Sequence, residues 1–151
     1  MYRKGVSALI FNKKDQLLLV NLESFNEKYF SVPGGSLEEG ETLEQAAYRE
    51  VAEELGIRKD SLELVGKSSL PLQVTFREIK LIRDGKEYQG SERYFFGFHF
   101  TGDDGEIGLK KGEVRAYKWV AFAELKDYLL FDNQLDDTLR KIAEIFPSPM
   151  V

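Results

Sequence analysis

Three glutamates near residue 50 have a spacing that would place a cluster of carboxylates on one face of a helix. Glu50, Glu53 and Glu54 lie at positions i, i+3 and i+4, which are neighbours on an α-helix. Like charges this close repel each other, so the cluster needs either solvent or a bound cation. Carboxylate oxygens are the ligands that Mg²⁺ and Mn²⁺ prefer. On the spacing alone, a metal site and a solvated acidic helix face both stay open.

The flanking residues predict where this helix begins and ends. Thr42 and Gln45 have the spacing of a capping box, in which the two side chains satisfy free amides at the helix start. Gly56 follows the last helical position, where a left-handed residue ends a helix. Between these ends an apolar stripe runs into the glutamates, with members Leu43, Ala46 and Ala47. A face that starts in the core should therefore end as a group of acids.

The complete pattern of residues 35–57, GSLEEGETLEQAAYREVAEELGI, resembles the Nudix box at every defining position. The fixed positions are Gly35, Glu41, Arg49, Glu50, Val51, Glu53, Glu54, Gly56 and Ile57, with Pro33 and Gly34 as the usual lead-in. Enzymes of this family hydrolyse a nucleoside diphosphate linked to another group, with the help of divalent cations. The resemblance implies an α/β fold, namely an α/β/α sandwich with a mixed β-sheet, in which the loop–helix–loop box lies across one end.

The resemblance also implies a role for each residue of the box. The expected ligands of Mg²⁺ or Mn²⁺ are Glu50, Glu53, Glu54 and a backbone carbonyl of Gly34 or Gly35. Arg49 is expected to hold Glu53 and to offset the local repulsion rather than to touch substrate. Glu41 is expected to pair with Arg49 or to sit in the outer shell; the alternative is an acid beside the helix start, favoured by the helix dipole.

The general base is expected outside the box. Many family members carry this acid on a loop just before a late strand, and Glu113 precedes the strand-like run that contains Tyr117. The position of Glu113 resembles the catalytic or metal-binding acid of the bacterial RNA 5′-pyrophosphohydrolase group. The alternative for Glu113 is a solvated loop acid, in which case a box glutamate, Glu53 first, would be the base.

Resemblance to that RNA group extends beyond the box. Tyr2-Arg3 is similar to its amino end, where the arginine contacts phosphate, and residues 89–96 are similar to a strand that carries a basic residue, here Arg93, among aromatics. Two departures are evident. No glutamine separates Pro33 from the glycines, and the run 131–134, FDNQ, has an acid where the group has a lysine. The expected substrate contacts are Arg3, Arg93 and Phe131, with Lys4, Arg77, Lys80 and Tyr88 as weaker candidates.

The favoured substrate is therefore a triphosphorylated RNA 5′ end, from which pyrophosphate or phosphate is released. Dinucleoside polyphosphates, nucleoside triphosphates and nucleoside diphosphate sugars are alternatives, because every such enzyme shares the box. A non-catalytic nucleotide-binding module is an alternative from another class. Such modules tend to lose box acids, and this chain keeps Glu50, Glu53 and Glu54.

The rest of the sequence predicts strands around the box helix. Apolar runs at 5–11 and 16–21 indicate a hairpin, and 29–32, 62–69, 73–82, 88–100 and 116–120 indicate further strands, with Asp84-Gly85 as a hairpin turn. Two helices are expected near 122–128 and 135–146. Strands and helices mixed in this order predict a sheet covered on both faces.

Bulk composition limits the classes of protein. The 151 residues form one expected domain, 1–151, with no cysteine and hence no disulfide framework or zinc–thiolate site. A net charge of −5 argues against a broad basic surface for duplex nucleic acid. No run approaches the roughly 20 apolar residues of a membrane helix, so a cytoplasmic protein without a membrane partner is expected. Many relatives form dimers, which makes a homodimer a candidate assembly.

Overall fold

A mixed β-sheet forms the centre of the described part of the chain. Its main path contains one parallel pair, residues 90–100 with residues 2–11, and antiparallel pairs elsewhere. The order along this path is β4 (Leu62–Lys67), β8 (Gly90–Phe100), β1 (Tyr2–Phe11), β2 (Gln16–Leu22) and β9 (Val114–Ala121). The shorter strands are β3 (Gly34–Ser36) on β1, β5 (Leu72–Thr75) on β8, and the separate pair β6 (Leu81–Arg83) with β7 (Lys86–Tyr88).

The coordinates are those of a computed structural model, which describes residues 2–75, 81–83, 86–88 and 90–147. The expected Asp84-Gly85 turn and the candidate phosphate contacts Arg77 and Lys80 lie outside the described residues, as does the side chain of Tyr88. Within the described residues no helix is long and apolar enough to span a membrane.

Two helices cover the two faces of the sheet. Along β1, side chains alternate between the faces. Val6, Ala8 and Ile10 join the core under α1 (Leu43–Leu55), while Leu9 and Phe11 join the core under α2 (Gln134–Ile145). The expected α/β/α arrangement with a mixed sheet is confirmed.

The helix α1 begins and ends where the sequence predicts. The Thr42 hydroxyl accepts a hydrogen bond from the Gln45 amide at 3.1 Å, and the Gln45 side chain accepts one from the Thr42 amide at 2.9 Å. Gly56 has a φ of 67°, in the left-handed region, and its amide donates to the Ala52 carbonyl at 2.9 Å. The glutamates are therefore fixed at the last turns of a helix with defined ends.

Two predicted elements differ in the structure. The strand expected at 29–32 is wrong, because this segment makes only an isolated bridge between Ser31 and Val20. The strand that pairs with β1 is instead β3, at the glycine pair itself, where the absence of side chains lets two backbones approach closely. The segment expected as a helix at 122–128 is a 3₁₀ helix, Phe122–Asp127. Further 3₁₀ turns occupy Lys59–Ser61 and Asp104–Glu106.

Candidate active site

The last turns of α1 lie directly against β3. The amide of Gly34 donates a hydrogen bond to Oε1 of Glu54 at 3.0 Å. The Glu50 carboxyl group occupies the space in which Gly35 would carry a Cβ atom, so only glycine fits there without displacing Glu50. The glycine pair of the lead-in thus brings a strand backbone against two of the three box glutamates.

Arg49 links the box into one network. Its Nε and Nη2 donate to the two carboxylate oxygens of Glu41 at 2.6 and 3.0 Å, which is a bidentate pair. Nη2 also donates to the Ser36 carbonyl at 2.8 Å. Nη1 reaches Oε1 of Glu50 at 2.9 Å and Oε2 of Glu53 at 3.3 Å. Of the two alternatives for Glu41, the structure therefore places this acid on Arg49, and Arg49 makes its closest contacts with Glu41 and Glu50 rather than with Glu53.

The three box glutamates lie in different environments. Glu54 is only 6% exposed, and its burial raises the pKa of the carboxyl group to about 7, although the Gly34 amide acts in the opposite direction. Burial also raises the pKa of Glu50, and the hydrogen bond from Arg49 partly offsets this effect. The Glu53 side chain is 44% exposed. Two of the three carboxylates consequently bear a desolvation cost that a bound cation would relieve.

Backbone hydrogen bonds fasten the loop that carries Glu113 to the end of α1. The amides of Gly108 and Lys110 donate to the carbonyls of Leu55 and Glu54 at 2.8 and 3.0 Å. These carbonyls have no partner within the helix, so the loop satisfies them. The Glu113 carboxylate is paired with Nζ of Lys110 at 3.1 Å, and β9 begins immediately after Glu113. The loop acid singled out in the sequence is thereby held beside the box.

A cavity of about 340 Å³ opens where these elements meet. Its functional lining consists of Glu50, Glu54, Glu113, Gly34 and Gly35. Glu53 does not line this cavity. In the part of the chain that the structure describes, no three His, Cys, Asp or Glu side chains are assembled into a ready metal-binding group. The donor chemistry still fits a hard divalent cation, because carboxylate and carbonyl oxygens are its preferred ligands.

Arg93 lies on the other side of Glu54. Its Nη2 donates to the Val6 carbonyl at 2.7 Å and its Nε to the Ser7 hydroxyl at 3.2 Å. No carboxylate of the described residues lies within salt-bridge distance of this guanidinium, and burial lowers its pKa. Arg3 is on the same face of the neighbouring strand, because Gly5 is the register partner of Arg93 and Arg3 is two residues before it. Arg3 and Arg93 therefore lie on the same face of two adjacent strands, and Arg93 lines a cavity together with Glu54.

Arg93 and Phe131 both line a second cavity of about 450 Å³, which also touches Glu54. The Phe131 ring is stacked on Tyr29 with centroids 4.6 Å apart, and Phe25 contacts it edge-on at 5.1 Å. Phe131 is 43% exposed, so part of the ring stays free for a ligand. The predicted substrate contact Phe131 is thus one member of an aromatic cluster that opens into a cavity beside the box.

Sequence reasoning did not identify three residues around this second cavity. Ser7 supports Arg93, Phe25 belongs to the aromatic cluster, and Asp137 lines the cavity from α2. The pairing of β1 with β8 brings Ser7 to Arg93, and no local pattern announces that pairing. Asp137 could have been noticed as an acid in the first turn of a predicted helix.

Comparison with known proteins identifies a family match. A model of the NUDIX domain matches residues 1–142. The chain is 28% identical over 148 residues to the RNA pyrophosphohydrolase of Pelagibacter ubique, covering 95% of this chain and 92% of that protein. It is 32% identical over 123 residues to the RNA pyrophosphohydrolase of Rhodospirillum rubrum, covering 79% of this chain and 72% of the relative.

Solved structures give the same fold. The Escherichia coli dihydroneopterin triphosphate pyrophosphohydrolase superposes with a TM-score of 0.72 at 18% identity, covering 98% of this chain and 99% of that one. A binary complex of the Caenorhabditis elegans Ap4A hydrolase superposes with a TM-score of 0.69 at 20% identity, covering 93% and 95% of the two chains. Identities this low show a shared architecture alone.

Proposed function

The chain belongs to the Nudix family, and we propose that it releases pyrophosphate or phosphate from the triphosphorylated 5′ end of an RNA. Family membership makes it a hydrolase that acts on phosphoanhydride bonds. The choice of RNA is supported by two relatives named RNA pyrophosphohydrolase, which align over most of both chains. It is also supported by the basic residues Arg3 and Arg93 at the positions where such enzymes are expected to contact phosphate.

One observation carries the proposal: an acidic cavity and a basic side chain meet at Glu54. Glu54 lines the cavity that holds Glu50 and Glu113, and it also lines the cavity that holds Arg93. A polyphosphate placed across this boundary would have a guanidinium on one side. On the other side it would have carboxylates that suit a divalent cation. Such a division of charge is what the hydrolysis of a phosphoanhydride requires.

The divalent ion of the proposed reaction is Mg²⁺ or Mn²⁺. Glu50, Glu54, Glu113 and the carbonyl of Gly34 or Gly35 would hold it, and Glu53 would join them as a ligand from the rim. When bound, the ion supplies positive charge against the phosphate oxygens and lowers the pKa of a coordinated water. Family membership supports a divalent metal in general, and the particular ion stays a prediction.

The proposed roles of the remaining residues follow from their contacts. Glu113 accepts the proton of the attacking water, or Glu53 does so if Glu113 serves only as a ligand. Arg93 and Arg3 bind phosphate oxygens, and Phe131 stacks on a base. The outer residues of the box position these groups: Arg49 and Glu41 fix the carboxylates, and Gly56 ends the helix that carries them. The cytoplasmic location, the single domain and the homodimer expected from the sequence stay predictions.

A free nucleotide is the second candidate substrate. The chain has a net charge of −5, and Asp132 stands where the RNA enzymes are expected to carry a lysine. Both features weaken attraction to an extended RNA backbone. They favour a nucleoside triphosphate or a dinucleoside polyphosphate, whose polyphosphate the same two cavities would accommodate.

The discriminating experiment measures the release of phosphate and pyrophosphate with Mg²⁺ present. The substrates are 5′-triphosphorylated RNA, diadenosine tetraphosphate, GTP and ADP-ribose, each repeated with excess chelator and with Glu54→Gln. The RNA proposal expects the highest kcat/KM for the RNA, lost in both controls. A higher kcat/KM for a small nucleotide than for the RNA would make a free nucleotide, the second candidate, the substrate. Tight binding without turnover of any substrate would make the chain a binding module instead.

A further inference from the structure

The second cavity has three chemically different parts. Arg93, Gly34 and Glu54 form the part nearest the box, and the rings of Phe25 and Phe131 form an aromatic part. The third part is acidic, because the carboxylates of Asp132 and Asp137 also line the cavity. A nucleotide has the matching sequence of parts: a polyphosphate, a flat base and a polar base edge.

Gln134 anchors the turn that carries Asp132. Its Oε1 accepts a hydrogen bond from the Phe131 amide at 3.1 Å, and its Nε2 donates to the Phe30 carbonyl at 2.8 Å. Asn133 has a φ of 65°, which turns the chain sharply before α2. Both polar ends of the Gln134 side chain are therefore used to anchor the turn. Asp132 lies in that turn, beside the aromatic ring.

The two aspartates have oxygens free to accept hydrogen bonds from a ligand. Asp132 is exposed and has no hydrogen-bond or ion-pair partner among the described residues. Asp137 is paired with Arg140 through Oδ1, which leaves Oδ2 unused within the same set of residues. The dipole of α2 favours an acid such as Asp137 in the first turn, but it does not explain why Asp137 lines the cavity. Asp136 is in the same turn and does not line this cavity.

We infer, on the basis of the proposed function, that Asp132 and Asp137 select a base whose edge presents adjacent N–H donors. An ionised carboxylate only accepts hydrogen bonds. The guanine edge offers N1–H beside the 2-amino group, and a pterin ring offers the same 2-amino-oxo edge. Adenine instead presents the N1 acceptor beside its amino group, and that lone pair faces a carboxylate unfavourably. The cavity therefore favours guanine-type bases over adenine.

The test compares substrates that differ only in the base edge. We would measure kcat/KM with Mg²⁺ for GTP, ITP and ATP, and for RNA that begins with a triphosphorylated G or A. ITP keeps N1–H and lacks the 2-amino group, so it should fall between the other two. GTP should exceed ATP by about tenfold or more, the effect of one bidentate carboxylate contact. Dihydroneopterin triphosphate is tested alongside these substrates. Its kcat/KM relative to that of GTP shows whether the cavity prefers a pterin or a guanine as the base that carries this edge.

Variants assign the preference to the two aspartates. Asp132→Asn and Asp137→Asn should each lower kcat/KM for GTP, mainly through KM, and leave ATP unchanged or improved. The loss of GTP preference should be about tenfold for the double variant. Asp136→Asn is the matched control and should keep the wild-type ratio. Unfolding temperatures close to that of the wild type would show that each variant is folded.

A binding measurement keeps this inference separate from the proposed function. Calorimetric titration with GDP and ADP reports the base preference without any turnover. GDP preference that disappears in the double variant supports the inference even if no substrate is hydrolysed, which would overturn the proposed function alone. Equal binding and equal turnover of guanine and adenine nucleotides would overturn the inference about base preference, while the proposed hydrolase function would still hold.

Discussion

The amide of Gly34 donates a 3.0 Å hydrogen bond to Oε1 of Glu54, and this bond joins the last turn of α1 to the strand β3. The contact is made between a backbone group and a carboxyl group that is almost completely buried. An ionised carboxylate that is buried with a single hydrogen bond has a higher free energy than one that is hydrated. At Glu54, therefore, the ionised carboxylate that would bind a cation destabilises the fold when no cation is bound.

Metal-free protein should lose stability as the pH rises from about 5 to 8. The folded-state pKa of Glu54 is raised to about 7 from an ordinary value of 4.5, so the folded state binds more protons in this window and the free energy of unfolding falls. The loss from this group is at most roughly 3 kcal/mol. Urea unfolding with chelator at several pH values measures it.

The comparison for this pH effect is Glu54→Gln, which should show a flatter pH dependence and should equal or exceed the wild type in stability at pH 8. Burial raises the pKa of Glu50 in the same direction, so some slope should remain. Glu44→Gln, an exposed acid of the same helix, should keep the wild-type slope. A Glu54→Gln slope as steep as that of the wild type would show that Glu54 ionises normally.

The pair of Arg49 and Glu41 should be measurably coupled. Two hydrogen bonds join these side chains, and both side chains are mostly buried. A double-mutant cycle with Glu41→Gln and Arg49→Lys should give a coupling energy of roughly 1–3 kcal/mol. Lysine keeps the charge and loses the planar fork. Near-zero coupling would place this pair among ordinary surface ion pairs.

Glu53→Gln should reduce kcat by on the order of 10²-fold and leave the fold unchanged. Nearly half of the Glu53 side chain is exposed, and its only hydrogen-bond or ion-pair partner among the described residues is Arg49 at 3.3 Å, so little structure depends on it. Steady-state kinetics and thermal unfolding measure the two effects. Glu44→Gln again serves as the control, since it removes one charge from the same helix without touching the site. Full metal-dependent activity in Glu53→Gln would remove Glu53 from the site.

Glu113→Gln should lower kcat on the order of 10²-fold, with a much smaller change in KM. Glu113 lines the same cavity as Glu50 and Glu54, so a neutral side chain there removes a proton acceptor or a ligand charge. The pH–rate profile distinguishes these roles. A base at Glu113 predicts that the acidic limb of the profile disappears in the variant. Glu124→Gln, an exposed acid just after β9, should behave as wild type.

Gly35→Ala should weaken metal-dependent activity by at least about tenfold, because the new methyl group would displace the Glu50 carboxyl group. Gly108→Ala is a suitable control. Its added Cβ meets nothing within 4 Å, and Gly108 is not among the glycines with positive φ. The Mg²⁺ concentration required for half-maximal rate measures the effect. Equal metal requirements in the two variants would show that Glu50 tolerates displacement.

Local signals predicted the box helix well. Its capping box, its left-handed stop and its apolar stripe each depend on residues within about one turn of each other, so a single sequence contains them. Spacing alone predicted three equivalent carboxylates. The structure separates them, because the nearby glycine strand covers Glu54 and Glu50 and leaves Glu53 at the rim. That difference comes from a strand outside the helix, which helical periodicity cannot represent.

The second cavity was the least predictable part. It gathers residues from β1, β8 and the turn before α2, whose proximity depends on sheet pairing and on helix docking. Phe131 and Arg93 were found by resemblance, and Asp132 was noticed only as a departure from it. The turn at Asn133 and the two hydrogen bonds of Gln134 fix the backbone around Asp132, which lines the cavity.

The parallel pairing of β1 with β8 also has a consequence for the biosynthesis of the chain. Tyr2 pairs with Gly90, so the first strand emerges from the ribosome long before its neighbour exists. During that interval β1 can pair with β2 and β3, but the other edge of β1, which pairs with β8 in the folded protein, has no partner. The nascent chain should therefore be most prone to aggregation and most dependent on chaperones before residue 90 is synthesised, and the pairing of β8 with β1 should end that dependence.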